Sequence, residues 1–409
     1  MIDAAFGVLA PLAFAWAVGY AATRPLRDPR LRRTLWAGLA VRLLGGGLYL
    51  ALHEAMYGGG DYSLYLSEAF WALGDAGNGA HRSLFALHAN NWSGTSATSV
   101  VTWWAAAVVG QSPVGLFMVF ATLNFAGVAC FAAAFRRAFS EIDPLSYTRW
   151  IMFFPSLWFW SSALGKDALI MVGLGVAVVG FVGRTRRQWV LVAIGLAVVF
   201  AIRPSYAVVA ASALALGGLV GRNRRGTELQ WVVSAAVIAT GAYFAFPLLN
   251  SALGFEVTDL AAAAQRIDDR AQASAYGGSS FEAADDPVTA VITTLFRPFP
   301  WEARGALMLA ASAEMLLLWG LVLRRRRAAA RFVRDYWRTE PVVLSGAFVV
   351  ALALLVGLAV GNFGTIVRQR VHLYPFLFVI VAAYAYRGVP RRAALRRRSR
   401  APRRLSVPA

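Results

Sequence analysis

The sequence predicts an all-α, polytopic membrane protein, and three observations carry that prediction. Of 409 residues, 58% are hydrophobic and 15% charged, and the mean hydropathy is +0.56, too apolar for a chain that folds in water. Apolar runs recur at close to the ~20 residues that a helix needs to cross a hydrocarbon layer. Between those runs the basic residues gather in short arginine blocks, which is how a membrane protein encodes its orientation. The net charge of +19 is therefore read as topology, and no nucleic-acid partner is expected. Cys130, the one cysteine, lies inside an apolar run, so neither a disulfide framework nor a cysteine metal site is expected.

Taken in order, about eleven spans emerge, near residues 4–22, 34–53, 114–135, 149–164, 167–183, 188–202, 205–221, 229–248, 304–323, 342–361 and 371–386. The first run has Asp3 and no base ahead of it and arginines behind it, so it is expected to stay as a helix and not to be cleaved as a leader. Basic blocks at 24–33, 136–137, 184–187, 222–225, 324–338 and 387–404 alternate with arginine-poor connections. That alternation predicts an N-terminus outside, a C-terminus in the cytoplasm, and one transmembrane domain over 1–386 with two large outer loops, 54–112 and 249–304. The tail 387–409 is rich in Arg and Pro, cannot form a core, and is expected to be disordered and held near anionic lipid.

The first outer loop opens on Gly58-Gly59-Gly60, which frees the backbone to turn, and Asp61 then starts a predicted helix. Asp61, Tyr65 and Glu68 share one face of it at spacings of four and three. This makes Asp61 and Glu68 candidate acid–base groups and Tyr65 a candidate cavity residue, although Asp61 could equally serve as a plain N-cap. The apolar segment 100–109 is too short to span and is expected to lie in the interface, anchored by Trp103 and Trp104. The second loop offers a polar helix at 258–272, a glycine-rich hinge at 276–280 and a proline-braced turn at 296–302, which suits either a gating loop or an ordinary connection.

Cations on the predicted outer side break the positive-inside rule and are the informative ones. Lys166, Arg203, Arg297, Arg368 and Arg370 each fall just before a span that runs inward. A cation at a helix start faces the positive end of the helix dipole, at a cost of ~0.3–1 kcal/mol unless an anion sits there too. A phosphate site is one explanation. Snorkelling to headgroups or pairing with Asp167 and Glu302 is the other. Lys166 is the only lysine in a chain that otherwise uses arginine. Arg42 and Glu314 lie inside spans and are expected either to pair with each other or to line a cavity. His372 is a core histidine or a proton carrier. No metal-ligand spacing appears, so no cofactor is expected, and a divalent ion stays open.

Three groups of residues resemble known motifs. Gly60-Asp61-Tyr62-Ser63-Leu64-Tyr65 is similar to the first-outer-loop motif of the GT-C superfamily of membrane glycosyltransferases. Phe154-Pro155-Ser156-Leu157, Gly165-Lys166-Asp167-Ala168-Leu169-Ile170 and Ile202-Arg203-Pro204 resemble a helix-pair signature of that superfamily and of Wzy-type polysaccharide polymerases. The stretch from Gly361 to Arg370 resembles the last outer turn of the polymerase-like members. The resemblance implies a GT-C-like fold in a bacterial-type plasma membrane. It also implies sugar transfer from a polyprenyl-phosphate or diphosphate carrier to a glycan acceptor, with Asp61 as general base. The first motif departs from the pattern by following the second span and not the first. A flippase for lipid-linked oligosaccharide and a non-catalytic subunit of an envelope assembly complex are the competing expectations.

Overall fold

The structure is a computed structural model that describes residues 2–74, 94–183, 185–220, 279–281, 283–284 and 286–381. Among these the chain is helical throughout, apart from one isolated antiparallel bridge between Ser280 and Asn362. The helices are α1 (Ile2–Thr23), α2 (Pro29–Tyr57), α3 (Asp61–Gly74), α4 (Thr95–Val109), α5 (Pro113–Ala138), α6 (Pro144–Phe153), α7 (Pro155–Phe159) and α8 (Lys166–Gly183). They continue with α9 (Arg186–Ile202), α10 (Pro204–Val220), α11 (Pro287–Phe296), α12 (Ala306–Arg324), α13 (Arg326–Tyr336), α14 (Glu340–Ala359), α15 (Phe363–Arg370) and α16 (Tyr374–Val381).

Six of these, α1, α2, α5, α8, α12 and α14, are long and apolar enough to cross a membrane. Helices α9 and α10 occupy the predicted spans at 188–202 and 205–221 and are apolar but shorter. The predicted span at 229–248, the polar helix at 258–272 and the tail from 387 lie outside the described residues, as do parts of the 276–280 hinge and the 371–386 span.

The predicted span at 149–164 is corrected. It is two helices, α6 and α7, meeting at Pro155. Proline has no N–H to give Ile151 and its ring collides with the carbonyl four residues back, so a helix cannot run through it. The break strands carbonyls on one side and N–H groups on the other, inside an apolar bundle where both need partners. Two buried charges supply them. Arg42 of α2, fully buried, donates from Nη2 to the Ile151 carbonyl at 2.8 Å and from Nη1 to the Met152 carbonyl at 3.0 Å. Its Nε bonds Asn124 Oδ1 at 2.8 Å. Glu314 of α12 accepts from the Ser156 N–H at 2.8 Å and from the Ser156 hydroxyl. Arg42 and Glu314 therefore do not pair with each other, one of the two arrangements expected of them; the cation closes one helix end and the carboxylate the next, each at the end its charge favours.

Helix α8 is the centre of one half of the bundle, between α5 and α9. Its Gly173-Leu174-Gly175 step serves both neighbours. A Cβ on Gly175 would lie 2.1 Å from the Gly127 carbonyl oxygen of α5, and one on Gly173 would lie 2.7 Å from the Gly195 carbonyl oxygen of α9. Backbone cannot give way as a side chain can, so these contacts hold only with glycine, the small-residue packing that membrane helices use. In the other half α14 packs on α10 and α11. Opposite the cavity described below, the arginine-rich α13 seals its apolar face onto the bundle, with Phe332 buried against Phe139 and Tyr336 and with Arg326, Arg327, Arg331 and Arg334 exposed.

Candidate functional site

The turn that sequence reading singled out is built by glycine. Gly58 (φ 65°) ends α2 in the left-handed region and Gly59 (φ 135°) lies where side chains rarely go, so the chain reverses and α3 starts at Asp61. Tyr62 then ties α3 back to α2 by donating to Glu54 Oε1 at 2.7 Å.

Beside this turn opens a cavity of about 660 Å³. Its walls come from the end of α2, the starts of α3, α8 and α12, the α9–α10 junction and α15. Four cations, Lys166, Arg203, Arg304 and Arg368, and one carboxylate, Asp61, line it among the described residues. Arg368 is the hub. Its Nη1 donates to Asp61 Oδ2 at 2.7 Å and its Nε to Asp167 Oδ2 at 2.5 Å. The two carboxylates differ sharply in setting, since the Asp61 side chain is 66% exposed and the Asp167 side chain 5%. Burial raises the Asp61 carboxyl, but Arg368 more than offsets this and holds it below the ordinary carboxylate range. Asp167, chiefly, raises Arg368 well above its ordinary value, so the guanidinium stays charged.

Around the hub the other polar groups are held in turn. Lys166 Nζ donates to Thr95 Oγ1 at 3.0 Å, and Arg203 Nη1 donates to the Tyr206 hydroxyl at 3.1 Å. That hydroxyl donates to Gln369 Oε1 at 2.9 Å, linking Arg203 to the residue after Arg368. Asn362 caps α15 by accepting from the Gly364 and Thr365 N–H groups, which fixes the helix that carries Arg368 and Gln369.

Not every predicted site residue arrives. Arg297 is off the cavity wall, with its guanidinium bonded to Glu302 Oε1 at 2.6 Å and lying over the rings of Phe281 and Phe363 at 4.7 and 4.9 Å. Arg370 is fully buried and bonds the Arg297 carbonyl at 2.7 Å, so it closes the end of α11 much as Arg42 closes α6. Arg42 and Tyr65 are buried and do not line the cavity, and Glu68 is half-buried off its wall. Burial pushes the Tyr65 hydroxyl up to about 12. His372 is fully buried beneath the cavity, its Nε2 3.7 Å from Asp167 Oδ1 and its Nδ1 2.9 Å from the Gln369 carbonyl. Three of the five outer cations do not stand at helix starts. Arg368 and Arg370 occupy the last turn of α15 and Arg297 the C-cap of α11, where the dipole favours a cation without any anion. Lys166 and Arg203 do stand at the starts of α8 and α10. Asp61 is no N-cap either, since its carboxylate reaches across to Arg368 and not back to its own helix.

Sequence reading missed the wall facing the cations. Tyr49, His53 and Tyr57 recur every four residues along α2, and Trp160 joins them from the turn after α7. Tyr49 and His53 stack at 3.7 Å, and Trp160 meets His53 edge-on at 6.3 Å. The signal was the period of four, hidden because the first two members sit inside an apolar run.

The chain was compared with known proteins. No family model, curated protein or solved structure matches it.

Proposed function

We propose that this protein is a membrane glycosyltransferase, or a polysaccharide polymerase of that kind, which takes a sugar from a polyprenyl-phosphate or diphosphate carrier at the outer face of a bacterial-type plasma membrane. The observation that carries the reading is the lining of one cavity by four cations, aromatic residues and the exposed carboxylate of Asp61. Lys166, Arg203, Arg304 and Arg368 suit a phosphate whose negative charge grows as the sugar leaves, which is where preorganised cations lower a barrier. The exposed Tyr57 and the half-buried Trp160 offer aromatic surface on which a sugar ring can lie. Asp61, accessible to an acceptor hydroxyl, is the group to take its proton. The arginine alternation favours a cavity that faces outside, since the exposed arginines of α13 lie at the end of α12 away from it. The likeness to GT-C motifs agrees with this reading at Asp61, Lys166 and Arg368 and has no counterpart for Arg297.

A flippase would draw on the interruption at Pro155, because broken helices line many transport sites. Here Arg42 and Glu314 close the break, and neither lines the cavity. The deciding experiment is glycan product formation in reconstituted membranes. Asp61→Asn keeps the shape of the carboxylate but cannot accept a proton, so turnover falls ~10²–10⁴-fold. Lys166→Ala loses phosphate contact and binds the carrier about tenfold or more weakly. Carrier movement across the bilayer without a new glycosidic bond would replace the transferase reading with the flippase one.

A further inference from the structure

Arg368 stands between two carboxylates of opposite character. Asp167 is buried, bonded at 2.5 Å, and lies at the start of α8, a helix locked by glycine contacts on both sides. Asp61 is exposed, bonded at 2.7 Å, and stands at the first residue of a helix that follows glycines in conformations open to few other residues. Asp61 occupies Nη1 and the buried Asp167 occupies Nε, while Nη2 bonds to neither, so an anion that docks on Nη2 and closes a two-point contact meets Nη1 already taken. We propose that Arg368 is a latch: an incoming phosphate displaces Asp61 from Nη1 while Asp167 keeps the guanidinium in place, so that substrate binding itself frees the Asp61 carboxylate.

The proposal rests on the phosphate-site reading above and adds an order of events to it. In the empty site Arg368 makes Asp61 a weak base, because a carboxylate paired with a guanidinium holds its proton less well. Exchange removes that restraint only when phosphate is present, so the base is released beside the group it must serve. Lys166 and Arg203, which are bonded to neutral hydroxyls, accept the same phosphate without giving up a carboxylate. Competition between Asp61 and phosphate for one edge of one side chain is the physical content, and an exposed pair of this kind is readily exchanged.

The test is a double-mutant cycle read by calorimetric binding to the full chain, with inorganic diphosphate and farnesyl diphosphate as separate probes. Asp61→Asn removes the competitor and tightens diphosphate binding about 1.5- to 5-fold, the equivalent of an exposed ion pair. The same change made in an Arg368→Gln, Asp167→Asn background, which removes the guanidinium together with its buried partner, gives no tightening. A gain of equal size in that background means that Asp61 repels the anion at a distance, and the latch is overturned while the phosphate site stands. Absence of binding by either probe to the wild type overturns both. Arg368→Lys is the second route should the paired background fail to fold. A lysine keeps the charge for Asp167 but has no second edge for Asp61, so the Asp61→Asn gain vanishes there too. The probe that binds more tightly names the source of the phosphate, a lipid carrier or a free anion, and the latch requires the gain in that arm.

Discussion

Arg297 shows how far a residue's type can be read and where the reading stops. Its charge and its place beside the outer loop were legible, and they suggested phosphate. What the sequence could not show is that Glu302, five residues on, folds back to within 2.6 Å and that the stacked rings of Phe281 and Phe363 lie beside the guanidinium, 4.7 and 4.9 Å from it. Its Nε and Nη2 are taken by Glu302, and the side chain is held off the cavity wall. Arg297→Ala is therefore expected to leave diphosphate affinity unchanged and to lower stability instead. Glu302 supplies the sharper measurement. Burial raises its carboxyl, but the Arg297 hydrogen bond and the Phe299 N–H at 2.8 Å outweigh that and lower it overall. The folded value thus lies below the unfolded one, so the stability this carboxylate adds is complete above the ordinary range and is lost as pH falls through the depressed value. Glu302→Gln should cost about 1.5–3 kcal/mol in denaturation at neutral pH. The gap from wild type should persist down to about pH 4 and close below it. A gap independent of pH would mean that shape and not charge holds this turn.

At the scale of the element, the broken helix at Pro155 is the part that hydropathy could not resolve. A window of span length averages across one proline, and residues 149–164 pass as continuous although Pro155 was visible as a stop. The partners were visible too, as two charges inside spans that needed an explanation. Pairing with each other and lining a cavity were the two readings open to them, but each is drawn to a different helix end by the groups left bare there. Two hydrogen bonds from Arg42, to the Ile151 and Met152 carbonyls, replace what the helix lost, and a third ties Arg42 to Asn124. Arg42→Ala is expected to cost about 3–5 kcal/mol, since it strands buried carbonyls and an asparagine together. Glu314→Gln keeps an oxygen for the Ser156 N–H and should cost only about 1 kcal/mol, whereas Glu314→Ala bares that N–H at about 1–3 kcal/mol. Equal losses for the two Glu314 variants, measured by thermal unfolding, would show that negative charge and not hydrogen bonding closes the second half-helix. The same logic explains why three of the five outer cations sit at helix ends that need no anion. The boundary of α15 falls before the predicted span, and Asn362, a strong capping residue, was the signal that a helix starts there.

The whole molecule adds what no local pattern contains, which is convergence. Asp61, Lys166, Arg203 and Arg368 are spread over most of the chain and meet around one cavity, because the ends of α2, α9 and α14 and the starts of α3, α8, α10 and α12 gather at one end of the bundle. Arg42 and Arg370 do not join them because each is fully buried at a helix end, and Arg297 does not because Glu302 holds it off the wall, neither of which composition can assign to individual arginines. The opposite end carries α13, whose arginines stand exposed while Phe332 is fully buried. If the arginine blocks set orientation, the cavity end faces out and α13 faces the cytoplasm. The check uses single cysteines in a Cys130→Ala background, since Cys130 is the chain's only thiol. Ser279→Cys, on the cavity wall, should react with a membrane-impermeant reagent applied to intact cells. Arg331→Cys, on the exposed face of α13, should react only after the membrane is opened. The reverse pattern would turn the cavity toward the cytoplasm, where a sugar would be drawn from a soluble nucleotide donor as readily as from a lipid. Reaction of both sites from outside would mean that an odd number of crossings between residues 279 and 331 is wrong, and α12 would then lie within the bundle without spanning the bilayer.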